Sequence, residues 1–171
     1  MQTSLLGRYD TRLLTPPDLH ALQALFERGS DYFERVTGRP PAADEAPRAF
    51  VAGPPTKEVN DKRTVGLFTS EHALVGVLDA ITDWPDDGTW TIGILLLDPA
   101  HRALGVGSAW FAAWCAWAAS EGARGIRTAV TSDDARAERY LTRLGFIEEN
   151  RVADYDAGGR QPTIVFYRRG L

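Results

Sequence analysis

A chain of 171 residues suits one domain of ordinary size and is short for two. With 44% hydrophobic residues and five tryptophans it can bury a sizeable core, which excludes a disordered chain. A net charge of −4 and a single cysteine argue against a broadly basic nucleic-acid binder and against a disulfide scaffold.

Met1 to Arg8 lacks the basic start and apolar run of a signal peptide, and no apolar stretch reaches ~18 residues. The expectation is a soluble, cytoplasmic protein with no membrane partner. Residues 8–14 alternate like a short strand. Pro16-Pro17-Asp18 opens a helix whose Leu19, Leu22, Leu25 and Phe26 share one face. Gly29 ends it. Ser30-Asp31 can cap a second short helix over 32–36, which Gly38-Arg39-Pro40-Pro41 breaks. One more helical turn falls at 42–46, and 52–62 reads as loop. Segments 64–69 and 73–81 form a hairpin about Ser70-Glu71-His72. After a turn at 84–88, a third strand runs over 89–97. Its second half is apolar on both faces, which places it centrally in a sheet.

That run stops at Asp98-Pro99, because proline cannot donate to a sheet ladder. Arg102-Ala103-Leu104-Gly105-Val106-Gly107 then leads into a helix over 106–121. Glycines at a strand-to-helix turn let a ligand approach the backbone. Free N–H groups at the helix start, with the helix dipole, favour a phosphate there. The dinucleotide fingerprint does not fit, since Trp110 stands where its third glycine belongs. A P-loop does not fit either, since no Gly-Lys-Ser/Thr follows. Local physics alone equally allows a plain connecting turn.

The helix over 106–121 is nearly apolar all round and therefore buried. Trp110, Trp114 and Trp117 form a core stripe, with Cys115 a buried, inert thiol among them. A turn at 122–125 precedes a strand at 126–131. Ser132 or Asp133 caps a helix running to Leu144, and Gly145 stops it. A strand starts at 146–148, a turn follows at 155–159, and the last strand spans 163–168. No repeat or linker divides residues 1–171, so one domain is expected.

Pro99-Ala100-His101-Arg102-Ala103-Leu104-Gly105-Val106-Gly107 resembles the signature of the GNAT acyltransferases: Pro, two residues, Arg or Gln, two residues, Gly, one residue, Gly. A second block of that family runs Asn, two residues, Ala, three residues, Tyr, three residues, Gly-Phe. Here Ala137 and Gly145-Phe146 match, Asp134 replaces the Asn, and Leu141 stands where the Tyr belongs. Tyr140 is one residue early, about 100° around a helix, and should face elsewhere. The resemblance covers 64–168 as an acetyl-CoA-binding core. Residues 1–60 match only in element order and would form the acceptor side. It implies an α/β (α+β) fold, with a central mixed, largely antiparallel sheet of six to seven strands flanked by about four helices.

The resemblance further implies direct transfer of an acetyl group from acetyl-CoA to a primary amine of a small molecule or a protein, without metal or nucleic acid. Backbone N–H groups near Leu95, Leu96 and Leu97 would polarise the thioester, and the pantetheine arm would pair where neighbouring strands splay. The amides of Arg102, Ala103, Leu104, Gly105, Val106, Gly107 and Ser108 would hold the pyrophosphate, with Asp134 and Ala137 beside them. Asp31, Tyr32 and Glu34 would line the acceptor pocket; capping and packing are their alternative roles. The family often carries a glutamate base on the central strand, but 89–97 holds none. Asp79 is the acidic candidate, because a carboxylate within a strand is unusual. A solvent-facing edge position is its alternative. Tyr140 is the candidate acid for the departing thiolate, or else a packing residue. His101, His20 and His72 read as surface positions. A catalytically inactive acyl-CoA-binding module of the same fold is the alternative function, and an interaction protein whose glycine turn binds nothing is a second one. Exposed terminal strands leave room for a homodimer.

Overall fold

The computed structural model describes residues 7–154 and 161–171. The turn expected at 155–159 lies outside the described residues. Seven strands form one sheet: β1 (Tyr9–Leu13), β2 (Lys62–Thr69), β3 (Leu74–Ile81), β4 (Thr89–Leu97), β5 (Gly125–Thr131), β6 (Ile147–Val152) and β7 (Ile164–Gly170). Their spatial order is β1-β2-β3-β4-β5-β7-β6. Every neighbouring pair is antiparallel except β4 with β5. The apolar strand expected at 89–97 is thus β4, the middle strand of the sheet.

Among the described residues, five α-helices cover the faces: α1 (Leu19–Arg28), α2 (Ser30–Thr37), α3 (Glu45–Val51), α4 (Val106–Ser120) and α5 (Ala135–Arg143). The sequence placed only one turn near α3, at 42–46. Pro47 falls in the first turn of α3, where a missing N–H costs nothing, so the helix continues to Val51. Asp134, not Ser132 or Asp133, caps α5; its Oδ1 accepts from the Ala137 amide at 2.9 Å. No helix among the described residues is long and apolar enough to cross a membrane.

Each face of the sheet has its own core. Leu22, Leu25 and Phe26 of α1 pack with Phe33, Val77 and Leu96 on one side. On the other, Trp110, Phe111 and Trp114 of α4 pack with Trp90, Ile92 and Ile126. Trp90 meets Trp114 and Trp117 edge-on, with centroids 6.0 and 5.6 Å apart, so the tryptophan stripe is core. Burial pushes the Cys115 thiol up to about 11, which leaves it a poor nucleophile.

β4 does not keep a single alternation. Trp90 and Ile92 join the α4 side, whereas Ile94 and Leu96 join the α1 side. The register explains the switch: Ala80 pairs with Ile92 and Asp79 with Ile94, so Gly93 is an extra residue in a β-bulge. Gly93 is exposed although it lies mid-way along the central strand.

Candidate functional site

β4 and β5 pair only from Thr89–Gly125 to Thr91–Arg127 and then diverge. At the fork the Thr128 hydroxyl donates to the Ile92 carbonyl at 3.4 Å. Beyond it, the β5-facing edge of β4 has no strand partner among the described residues. A cavity of about 670 Å³ fills the opening, with Leu95, Leu96 and Leu97 on one wall and Thr128 to Thr131 on the other.

The N-terminus of α4 opens onto the same cavity. Ala103 and Gly105 adopt left-handed conformations, φ 62° and 77°, which turn the chain sharply into the helix. Ala109 donates the first helical bond, to Gly105 at 3.1 Å, so the Val106, Gly107 and Ser108 amides lack intrahelical acceptors. Ala103, Gly105, Gly107 and Ser108 line the cavity. Leu104, solvent-exposed, and Val106, buried in the core, are not among the lining residues.

Arg102 lines the cavity, but its side chain is engaged elsewhere. Its guanidinium grips the Asp31 carboxylate through two bonds of 2.6 and 2.9 Å, and its Nε donates to the Leu97 carbonyl at 2.8 Å. Asp31 also pairs with Arg35 at 2.8 Å, and Arg35 reaches Asp134 at 3.3 Å. This chain of charges ties α2, the glycine turn and the α5 cap together. Asp31 is held well below the usual carboxylate range, first by Arg102 and then by Arg35, against the opposing effect of burial. A lowered folded pKa means that its contribution is present above the unfolded value of about 3.9 and fades as pH falls below it. Asp31→Asn is therefore expected to cost roughly 1 kcal/mol at pH 7, with the deficit shrinking at pH 3. Urea unfolding at the two pH values checks this.

Tyr140 corrects the helical-wheel argument. Although one residue early, it lines the cavity. Its hydroxyl lies 3.4 Å from where a Gly107 Cβ would stand. Burial raises its pKa, with Ser108 and Arg143 opposing. Leu141 lines the same cavity, although it is largely buried in the core. The cavity is broad enough to take side chains from both positions 140 and 141, and a long phenol reaches it despite the 100° offset of its Cβ. Arg136 and Arg143 line the same cavity, as does Ala137. Neither arginine forms an ion pair among the described residues. No sequence motif marks them, although Arg136, Tyr140 and Arg143 recur at i, i+4 and i+7 on one face of α5.

A second cavity of about 460 Å³ lies on the α3 side, and Gly93 lines both. Asp79 faces this one, buried rather than on an edge. Its Oδ1 accepts from Thr64 at 2.6 Å, and its Oδ2 pairs with Lys62 at 3.0 Å. Burial raises the Asp79 pKa, with Lys62 and Thr64 opposing. Lys62 also donates to the Ala49 and Ala52 carbonyls at the end of α3. Tyr32 stands at the junction, its hydroxyl 3.4 Å from the Gly93 carbonyl. Burial, and then the Asp79 charge, push its pKa up to about 12. Glu34 is exposed, accepts from Ser30, and lines neither cavity. His101 is half-buried rather than exposed, because the helical turn after Pro99 places its Nδ1 2.7 Å from the Tyr9 hydroxyl. Among the described residues no group of three or more His, Cys, Asp or Glu is placed to hold a metal ion.

The family model described as the acetyltransferase (GNAT) family matches residues 20–146. Among solved structures, an acetyltransferase from Thermus thermophilus is 24% identical, covers 95% of this chain and 97% of its own, and superposes with a TM-score of 0.71. Spermidine N-acetyltransferase from Vibrio cholerae, in complex with CoA and spermine, is 15% identical over 96% of each chain, with a TM-score of 0.74. The Salmonella typhimurium acetyltransferase that modifies the N-terminal serine of ribosomal protein L7/L12 is 15% identical over 100% of this chain and 99% of its own, with a TM-score of 0.79. At these identities the likeness is one of fold. Among curated proteins, none matches significantly.

Proposed function

Because the chain belongs to the GNAT acetyltransferase family, we propose that it moves an acetyl group from acetyl-CoA to a primary amine of a small molecule or a protein. One observation carries the reading: the fork between β4 and β5 opens directly onto the unpaired amides at the start of α4. An extended, amide-bearing arm fits the bare edge of β4, and a pyrophosphate fits the helix N-terminus. The Gly105 and Gly107 positions leave the backbone approachable there, with Gly107 holding a wall position that a side chain would fill. Arg136 and Arg143 supply positive charge on the opposite wall.

Acetyl-CoA supplies an acyl group activated as a thioester. The amine must arrive neutral. With a pKa near 10.4, about one molecule in 2,500 is neutral at pH 7, worth roughly 4.6 kcal/mol. A base recovers part of this, typically about 10²–10⁴-fold. Asp79 stands beside Gly93, where the two cavities meet, and is our candidate for that base. Tyr140, its hydroxyl at the Gly107 wall, is our candidate proton donor to the departing thiolate. Holding both reactants at one junction supplies further rate without a covalent enzyme intermediate.

Calorimetry with acetyl-CoA, followed by thiol release across an amine panel, tests the reading. Expected are saturable binding and amine-dependent thiol release. Tight binding without release on any amine would leave the inactive acyl-CoA-binding module. No heat at millimolar ligand would reject the site itself.

A further inference from the structure

The second cavity has a composition that narrows the acceptor. Its charged residues are Glu45, Arg48, Lys62 and Asp79. Each is already engaged: Asp79 pairs with Lys62 at 3.0 Å, and Arg48 is shared between Glu45 at 3.4 Å and Asp44, just outside the lining, at 2.9 Å. Glu45 also accepts the Ala42 amide, and Asp79 the Thr64 hydroxyl. No carboxylate among these linings is left over for additional ammonium groups. A polycation entering here would strip water from several charges without a counter-charge to meet them, which is costly.

The remaining walls are apolar. Ala49, Ala52 and Pro54 come from the end of α3, Ile81 and Ile94 from the sheet, and the Trp84 indole from the turn before β4. The Thr91 hydroxyl, which also lines this space, is already bonded to the Trp84 carbonyl at 2.6 Å. The polar inner end is Asp79, beside the exposed Gly93. A Cβ at Gly93 would sit 3.5 Å from Asp79 Oδ2, so the missing side chain leaves that oxygen approachable from the junction.

Building on the acetyl-transfer reading, we propose that this cleft seats a small monoamine carried on an uncharged, apolar body, with the amine at Asp79 and Gly93 and the body against Trp84. The size suits it: about 460 Å³ lies within the range of small-molecule pockets. An aromatic wall contributes contact area without charge. The amine passes over Gly93 to reach the other cavity, while the body stays on the α3 side.

The test uses 2-phenylethylamine and spermine as probes. Their binding is measured by calorimetry and their acetylation by thiol release, on the wild-type protein, Trp84→Ala and Ala52→Trp. Ala52 is an exposed rim position, so a tryptophan there fills the cleft without entering the core. The expected result is binding of 2-phenylethylamine and a kcat/KM at least ~10-fold above that for spermine. Both variants should weaken 2-phenylethylamine by about 10-fold and leave acetyl-CoA affinity unchanged. Spermine binding as tightly as 2-phenylethylamine, or 2-phenylethylamine binding unchanged in both variants, would overturn the proposal. The two readings separate cleanly. Binding lost in the variants but never followed by thiol release counts for the cleft and against acetyl transfer. Efficient release on spermine alone counts for transfer and against this acceptor.

Discussion

Gly107→Glu is expected to weaken acetyl-CoA binding by 100-fold or more, about 2.8 kcal/mol, while the protein stays folded. Gly107 is the second residue of α4, and a Cβ there would point toward Tyr140 and Leu97 at 3.4 and 3.7 Å, into the cavity wall. A glutamate would bring a carboxylate to the place proposed for pyrophosphate. The same helix dipole that favours a bound anion also favours that carboxylate, so the first turn gains rather than loses stability. Gly107→Ala is the control: its methyl group makes near-ordinary contacts and adds no charge, so binding should change by far less. Calorimetry reads the affinity, and thermal unfolding reads the fold. A folded Glu variant with ordinary affinity would remove the helix N-terminus from the site.

The glycine turn was legible because its signal is local. Asp98-Pro99 ends a strand, Gly105 needs a left-handed φ, and an apolar helix follows; each is written within a dozen residues. The order of elements was legible for the same reason, through alternation and helical spacing. The fork was not, since β4 and β5 are joined by a parallel pairing about 35 residues apart in sequence, and only three residue pairs form before they part. The bulge at Gly93 was harder to read: an inserted residue reverses which side chains face which core, and its one local sign is the glycine inside the strand. Asp79 stood out as a carboxylate in a strand, but its partner did not. Lys62 lay in a stretch read as loop, and only the β2–β3 pairing brings the two together. Arg102 shows the reverse error. The sequence offered only its backbone amide to a phosphate and gave its side chain no role, whereas the folded chain spends the guanidinium on Asp31 and the Leu97 carbonyl. Its place in the motif is then explained by the loop it fixes.

Lys62→Met is expected to destabilise the protein by about 3–5 kcal/mol near neutral pH, the usual consequence of stranding one member of a buried ion pair. Lys62 and Asp79 side chains are only 6% and 9% exposed, so water cannot replace the lost partner. The ammonium also meets the Ala49 and Ala52 carbonyls, so its removal frays the end of α3 as well. The pH dependence gives the sharper test. Asp79 already titrates above its ordinary value because of burial, and Lys62 is the leading influence holding it down. Without that charge the folded pKa climbs further. A group with a raised folded pKa lends its full stability below the unfolded value, about 3.9 for Asp, and loses it as pH rises through the folded one. The deficit of Lys62→Met should therefore be small in mild acid and widen toward neutrality. Adding Asp79→Asn removes the stranded charge, so the double variant should be more stable than Lys62→Met alone at pH 8. Urea unfolding of the wild type, both single variants and the double variant at pH 5 and pH 8 measures the cycle. A deficit independent of pH, or a double variant no better than the single, would show that Lys62 acts only by capping α3 and that the Asp79 carboxylate does not depend on it.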